Sequence, residues 1–154
     1  MTAISKTILL WLALALAPAA LADTAESAPF DLSQYQGKVV VLDFWASWCG
    51  PCRRSFPWLN EMHTRYAQDG LVIIGVNLDA NHDDATEFLE EYPADFGIYF
   101  DPRAVLATEY EVEAMPSSFV IGRDGRIKAS HRGFKVKQQE EYEAILVEAL
   151  GEQP

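Results

Sequence analysis

The chain has 154 residues, 49% of them apolar, with a formal net charge of −11 and only two cysteines. This length fits a single domain, and the apolar fraction suffices for one core, which excludes a disordered chain. The acidic balance argues against nucleic acid and anionic membrane surfaces as partners, because binding to either requires clustered lysine and arginine.

The first 22 residues are predicted to be a cleaved secretory signal peptide. Lys6 precedes the unbroken apolar run Ile8–Ala17, and the small residues Ala20 and Ala22 match a signal-peptidase site. An uncleaved anchor is the alternative, but Pro18 interrupts the run before the ~20 apolar residues that a bilayer span requires. We therefore expect export of the protein, with cleavage after Ala22.

Residues 23–37 are expected to form an N-terminal arm, and residues 38–154 one α/β domain. Two nearly continuous apolar runs, residues 39–45 and 71–78, predict strands that are buried on both faces. The other predicted elements, in chain order, are a helix from about Cys49 to Gly70, a helix over 83–92, a strand over 97–100, a helix over 104–110, strands over 118–121 and 126–130 that flank Asp124-Gly125, and a terminal helix around 142–150. Buried strands joined by helices predict a central mixed sheet with helices on both faces, to which the final hairpin adds antiparallel strands.

Cys49 and Cys52 are the strongest chemical signal in the chain. An exported protein folds in an oxidising compartment, where cysteines usually form disulfides. A structural bridge is the alternative interpretation, but a bridge that closes so short a loop constrains the unfolded chain little. The pair is therefore predicted to be kept for its reactivity.

The motif Trp48-Cys49-Gly50-Pro51-Cys52 lies where the first buried strand is expected to give way to a helix. The spacing brings both sulfurs to one side of the first helical turn, close enough to bond, and Pro51 fits that turn. The positive end of the helix dipole favours the Cys49 thiolate, the attacking species in disulfide exchange, and lowers its pKa. Cys49 is expected to be exposed and to attack, and Cys52 to be shielded and to resolve the mixed disulfide.

The rest of the sequence offers this pair no metal or haem partners. Zinc sites need four ligands, and there is no second cysteine pair. Covalent haem attachment needs a histidine directly after the motif, where Arg53 stands. His82 and His131 have no ligand partner at useful spacing. We therefore predict no metal site and no cofactor.

The segment DFWASWCGPC, residues 43–52, resembles the active-site segment of thioredoxin nearly letter for letter. Pro57 matches the proline that kinks the active-site helix of that family, and Met115-Pro116 resembles its cis-proline segment. The resemblance extends over residues 38–133 and implies the thioredoxin fold.

Three further features make the chain more similar to the exported TlpA/ResA-like branch of this superfamily. They are the predicted signal peptide, the stretch Leu59-Asn60-Glu61, and an extra segment over residues 81–102 between a strand and the next helix. This resemblance implies a periplasmic, monomeric thiol–disulfide oxidoreductase that acts on protein disulfides and receives electrons from a membrane-bound thiol–disulfide reductase.

The resemblance also implies roles for individual residues. Cys49 would be the nucleophile and Cys52 the resolving thiol. Asp43 matches the buried acid that sits behind Cys52 and handles its proton. A carboxylate in a strand of valine and leucine is desolvated, so its pKa should rise and suit acid–base catalysis near neutral pH. The alternative is a strand-end acid that faces solvent.

Substrate contacts are expected from residues around the pair. If the Met115-Pro116 bond is cis, the backbone of Met115 lies beside the nucleophile and can pair with an extended substrate. An ordinary trans proline is the alternative. Trp48 is expected to cover the site and contact substrate, unless it belongs to the core. Gly50 and Pro51 complete the predicted contact set.

The Gly-Pro dipeptide between the cysteines favours a reductase. Thioredoxin, which has this dipeptide, is a reductant at about −270 mV, whereas the oxidant DsbA lies at about −120 mV. Apocytochrome c is one substrate that the resemblance implies, although relatives devoted to it often carry an acid at places held here by Gly50, Pro51, Ser117 and Ser118. A broader reductant of periplasmic disulfides fits the sequence equally well.

Three alternative functions stay open. A thiol peroxidase would need Thr or Ser three residues before its cysteine and a proline directly after it, where this chain has Ala46 and Gly50. A copper(I) chaperone would hold the ion with both thiolates but would want a nearby His or Met. A pure binding module would use the cis-proline groove without any redox step.

Overall fold

The computed structural model describes residues 29–152, so the predicted signal peptide and the start of the predicted arm lie outside the described residues. The strands in this range are β1 Val39–Trp45, β2 Leu71–Asn77, β3 Gly97–Phe100, β4 Ser117–Ile121 and β5 Ile127–Arg132. The α-helices are α1 Cys52–Tyr66, α2 His82–Glu91, α3 Val105–Glu109 and α4 Gln139–Gly151. Within the described residues, no helix has both the length and the apolar character of a membrane span.

The strands form one mixed sheet, as the sequence predicts, and their order in it is β3-β2-β1-β4-β5. The strand β2 is parallel to β1 and β3, whereas β4 is antiparallel to β1 and β5. All seven residues of β1 are buried, because this β-branched run is covered on both faces. The extra segment over 81–102 contributes the edge strand β3 and the helix α2, whose Phe88 packs against Phe56 of α1 with ring centroids 5.0 Å apart.

Successive residues of β1 point to opposite faces of the sheet. Val41 and Trp45 belong to a core cluster with residues of α1 and α4 that also contains both cysteines. Leu42 and Phe44 belong to a second cluster with residues of α3 on the other face. By this alternation, Asp43 shares the face of Val41 and Trp45, so its side chain points toward α1.

One edge of the sheet gathers three loops. The strands β1 and β2 run in the same direction, so they end together, with Trp45 paired to Asn77. The strand β4 runs the opposite way, so it starts at this edge, with Ser117 paired to Phe44. The cysteine motif after β1, the loop after β2 and the Met115-Pro116 segment before β4 therefore lie at the same edge.

Candidate active site

Cys49 and Cys52 lie where β1 gives way to α1 and are joined by a disulfide, with Cα atoms 5.3 Å apart. The prediction that their sulfurs are close enough to bond is confirmed. The prediction that the helix starts near Cys49 is wrong, because α1 begins at Cys52 and Pro51 is the residue that caps it. The Cys52 N–H donates to the Cys49 carbonyl at 3.1 Å, which closes a tight i to i+3 turn ahead of the helix.

The two cysteines differ less in exposure than predicted. Cys52 is fully buried, as expected, but Cys49 is only 4% exposed, so the prediction of an exposed nucleophile is wrong for the oxidised protein. Cys49 belongs to the same core cluster as Cys52, Trp45 and Phe56. Trp48 is 71% exposed, which rules out the core alternative for this side chain. The rim beside the disulfide is formed by Trp48, the exposed Gly50 and the half-buried Pro51.

A buried aspartate anchors the loop that carries the motif. The carboxylate of Asp79 accepts hydrogen bonds from the backbone N–H of Ser47 at 2.8 Å and from its hydroxyl at 2.9 Å. The side-chain amide of Asn77 donates to the same carboxylate at 2.7 Å. Neither Asn77 nor Asp79 was predicted from the sequence. Two polar residues at the end of a buried strand are the signal that could have revealed them, because β2 ends at the edge where the motif lies.

Asp43 is 1% exposed, which rules out the solvent-facing alternative. Burial raises its pKa from 3.8 to about 7, because the charged form loses its hydration, whereas the hydrogen bond from Ser118 acts in the opposite direction. The Ser118 hydroxyl donates to Oδ1 of Asp43, and Oδ2 has no hydrogen-bond partner among the described residues. The pKa of Asp43 is therefore raised, as predicted from the sequence. The hydrogen bond from Ser118, which lowers this pKa, was not predicted.

Replacing Ser118 with alanine is expected to raise the pKa of Asp43 above about 7, because it removes the hydrogen bond that stabilises the charged carboxylate. The carboxyl carbon signal of Asp43 in NMR titrations measures this change directly. Ser117→Ala is the matched control, since the Ser117 hydroxyl donates to the carbonyl of Ala114 at 2.7 Å instead. An unchanged Asp43 titration in Ser118→Ala would contradict the prediction.

The bond between Met115 and Pro116 is cis, as the resemblance implied. Pro116 is buried, and its carbonyl accepts the N–H of Gly133 at 2.7 Å, which ties the segment to the end of β5. Met115 is half-buried and packs against the core cluster that contains both cysteines. The segment and the cysteine motif therefore lie at the same edge of the sheet and share one core cluster.

This edge of the sheet can carry out two-electron exchange. The disulfide can take up two electrons to become two thiols, and a carboxyl group that titrates near neutral pH lies on the same face of β1 as both sulfurs. Among residues 29–152, no three His, Cys, Asp or Glu side chains lie together in a way that could hold a metal ion.

Comparison with known proteins agrees with this chemistry. The chain matches the redoxin family over residues 14–146. It is 32% identical over 118 residues to the thiol-disulfide oxidoreductase ResA of Bacillus thuringiensis subsp. konkukian, which covers 76% of this chain and 68% of that protein. It is 34% identical over 107 residues to the ResA of Geobacillus kaustophilus, which covers 70% of this chain and 62% of that protein.

Solved structures agree in the same way. A crystal structure described as a thiol:disulfide interchange protein DsbE from Chlorobium tepidum superimposes with a TM-score of 0.76 at 48% identity, covering 78% of this chain and 85% of that one. StoA from Bacillus subtilis superimposes with a TM-score of 0.63 at 25% identity, covering 72% of this chain and 84% of that one. These similarities confirm the predicted thioredoxin fold. The chain therefore belongs to the redoxin family, and it is a ResA-like thiol–disulfide oxidoreductase of the thioredoxin superfamily.

Proposed function

We propose that this protein is an exported reductase of protein disulfides, with Cys49 as the attacking thiol and Cys52 as the resolving thiol. The observation that carries the proposal is the buried Asp43, whose pKa is raised to about 7 and whose side chain points toward the helix that begins at Cys52. A base that titrates near neutral pH is what a buried thiol needs in order to become a nucleophile.

The reaction starts from the dithiol form. The Cys49 thiolate attacks a substrate disulfide, forms a mixed disulfide and releases one substrate sulfur as a thiolate. Asp43 then takes the proton of the Cys52 thiol, and the Cys52 sulfur attacks Cys49. The bond between Cys49 and substrate breaks, its electron pair leaves on the second substrate sulfur, and the disulfide seen here forms. Two electrons have passed to the substrate, and a membrane-bound thiol–disulfide reductase restores the dithiol.

Substrate recognition is proposed to use the rim and the cis-proline segment. Trp48 and Gly50 are exposed beside the disulfide, and Pro51 borders them. An extended substrate chain can pair with the backbone of Met115, next to the cis bond to Pro116. Apocytochrome c cysteines are one substrate class within this proposal, and other disulfides of the periplasm fit the same recognition by main-chain pairing. The protein is proposed to act as a monomer.

The reduction potential of the Cys49–Cys52 couple tests the direction of electron flow. The protein is equilibrated with dithiol buffers of defined potential, and its free thiols are counted after alkylation. We expect a value near that of thioredoxin, about −270 mV, and substrate proteins that become reduced. A value near that of DsbA, about −120 mV, would reverse the assignment to an oxidase. Retention of copper(I) without disulfide reduction, or a preference for peroxides, would replace the proposal by one of the alternative functions.

A further inference from the structure

Three polar side chains lie in one row across the strands β1, β4 and β5. Asp43 pairs with Ser118, and Ser118 pairs with His131. Residues directly opposite each other in antiparallel strands point to the same face, with Cβ atoms about 4.5–5.5 Å apart. The row therefore leads from the buried carboxyl group to β5, the edge strand of the sheet, on the side covered by α1 and α4.

Both ends of this row carry a buried polar atom without a hydrogen-bond partner among the described residues. These atoms are Oδ2 of Asp43 and Nε2 of His131. Such atoms are uncommon, because roughly 90% of buried polar groups are paired. The His131 ring packs on Tyr142 with centroids 4.6 Å apart, and it is half-buried, so it reaches from the interior toward the surface.

A cavity of about 20 Å³ is lined by both Ser118 and His131, and we refer to it as the His131 cavity. Its walls include Trp58, Phe134 and Tyr142. A space of roughly 10–15 Å³ is enough for one water molecule, provided that the water finds at least two polar partners. Ser118 and His131 both line the cavity, so the Ser118 hydroxyl and Nε2 of His131 are the two candidate partners. The His131 cavity is therefore large enough and polar enough to hold one water.

We propose that Ser118, one water in the His131 cavity and His131 form a proton path that connects the buried carboxyl group of Asp43 to solvent. The inference rests on the proposed function, in which Asp43 takes the proton of the Cys52 thiol. The transfer from the Cys52 thiol to Asp43 is reversible, so a proton that stays on the buried carboxyl returns to Cys52 before it attacks Cys49. The exit of this proton therefore limits the rate of resolution.

Each transfer along the path moves one proton. The carboxyl passes its proton to the Ser118 oxygen, Ser118 passes its own to the water, and the water passes one to Nε2 of His131. The imidazolium then releases its other proton to solvent, which leaves every group neutral except the Asp43 carboxylate. Burial lowers the pKa of His131, and the nearby Glu141 of α4 opposes this effect. The imidazole is therefore neutral at pH 8 and able to accept a proton. Ser118 and His131 act through Asp43 and are positioning residues.

His131→Phe tests the path, because phenylalanine keeps a ring against Tyr142 but cannot accept a proton. The resolution step is followed at pH 8 by rapid mixing, as decay of the mixed disulfide between Cys49 and a protein substrate, in H₂O and in D₂O. We expect His131→Phe to slow this step roughly tenfold and to increase the solvent isotope effect. In the Asp43→Asn background, the same substitution should cause no further slowing, because the path then starts from no acid.

A merely structural role of His131 would slow resolution by the same factor in both backgrounds, and that result would overturn the proposal. An unchanged rate in His131→Phe would do the same. His63→Phe is the matched control, since His63 is also half-buried, its Nδ1 has no hydrogen-bond partner within residues 29–152, and it does not line the His131 cavity. His131→Gln provides a second variant if His131→Phe fails to fold, and the same slowing is expected. If Asp43→Asn alone leaves resolution unchanged, the proposed role of Asp43 fails. If Asp43→Asn slows resolution and the His131 variants do not, only the path fails.

Discussion

Replacing Cys49 with serine is expected to lower the rate of thiol–disulfide exchange by a factor on the order of 10³ or more, because it removes the proposed attacking sulfur. A serine hydroxyl is not ionised near neutral pH and cannot form a disulfide with substrate. Reduction of a protein disulfide, followed by precipitation or fluorescence, measures the loss. Activity close to that of the unchanged protein would eliminate Cys49 as the nucleophile.

The companion variant Cys52→Ser should retain attack but stop at the mixed disulfide. Cys52 is fully buried and bonded to Cys49, so its removal takes away the thiol placed to release the substrate. We expect covalent adducts with exported proteins that run at higher mass on gels and disappear on reduction. Cys49→Ser is the control, because it lacks the attacking thiol and should give no adducts. Adducts from Cys49→Ser alone would reverse the two assigned roles, and equal adducts from both variants would contradict them.

Asp43→Asn is expected to slow the resolution step roughly 100-fold at pH 8, because it removes the base that takes the proton of the Cys52 thiol. The pKa of Asp43 is raised to about 7 by burial, so the carboxylate is available above that pH and is lost as the pH falls below it. The pH profile of resolution in the unchanged protein should therefore show an inflection near pH 7 that is missing in the variant. An inflection that survives the substitution would assign it to another group.

The same substitution is expected to stabilise the fold. The pKa of Asp43 is higher in the folded protein than its ordinary value of 3.8, so the folded state binds more protons between about pH 4 and 7. The stability that the neutral carboxyl contributes is present below about pH 4 and is lost as the pH rises through about 7. The difference between the two pKa values corresponds to at most about 4 kcal/mol, which Asp43→Asn should recover at pH 8 and not at pH 4.

Urea unfolding of the oxidised protein at both pH values measures this gain. Asp95→Asn is the matched control, because Asp95 is an exposed carboxylate and its loss changes the net charge equally. We expect no comparable stabilisation in that variant. The stabilisation is the difference in unfolding free energy between Asp43→Asn and the unchanged protein. If this difference is no larger at pH 8 than at pH 4, the burial argument is wrong.

Much of the architecture is visible in local sequence patterns. The strand over 39–45 and the strand over 97–100 were predicted at their observed bounds, because β-branched runs and their polar boundaries are local signals. The start of α1 was misplaced by three residues. The motif between Cys49 and Cys52 has the composition of a first helical turn, but its backbone closes an i to i+3 turn first. The burial of Cys49 was also missed, because it depends on packing against residues that are distant in the chain.

The remaining parts of the site depend on strand register. Ser118 meets Asp43, and His131 meets Ser118, only because β4 and β5 align with β1 in one particular way. These three residues are 75 and 13 positions apart along the chain, so no local pattern connects them. Asp79 reaches Ser47 for a similar reason, since two parallel strands end at one edge of the sheet.

The sequence by itself determined the cysteine pair, the acid in the buried strand and the order of strands and helices along the chain, and its resemblance to thioredoxin pointed to the cis-proline segment. Each of these is encoded by residue types within a short stretch, and such local patterns can be recognised in the sequence without the tertiary structure. Only the tertiary structure decided which hydroxyl meets the buried acid, which carboxylate holds the active-site loop and how little of Cys49 is exposed. Those features arise from contacts between distant segments, and such contacts are set by packing and register rather than by local preference.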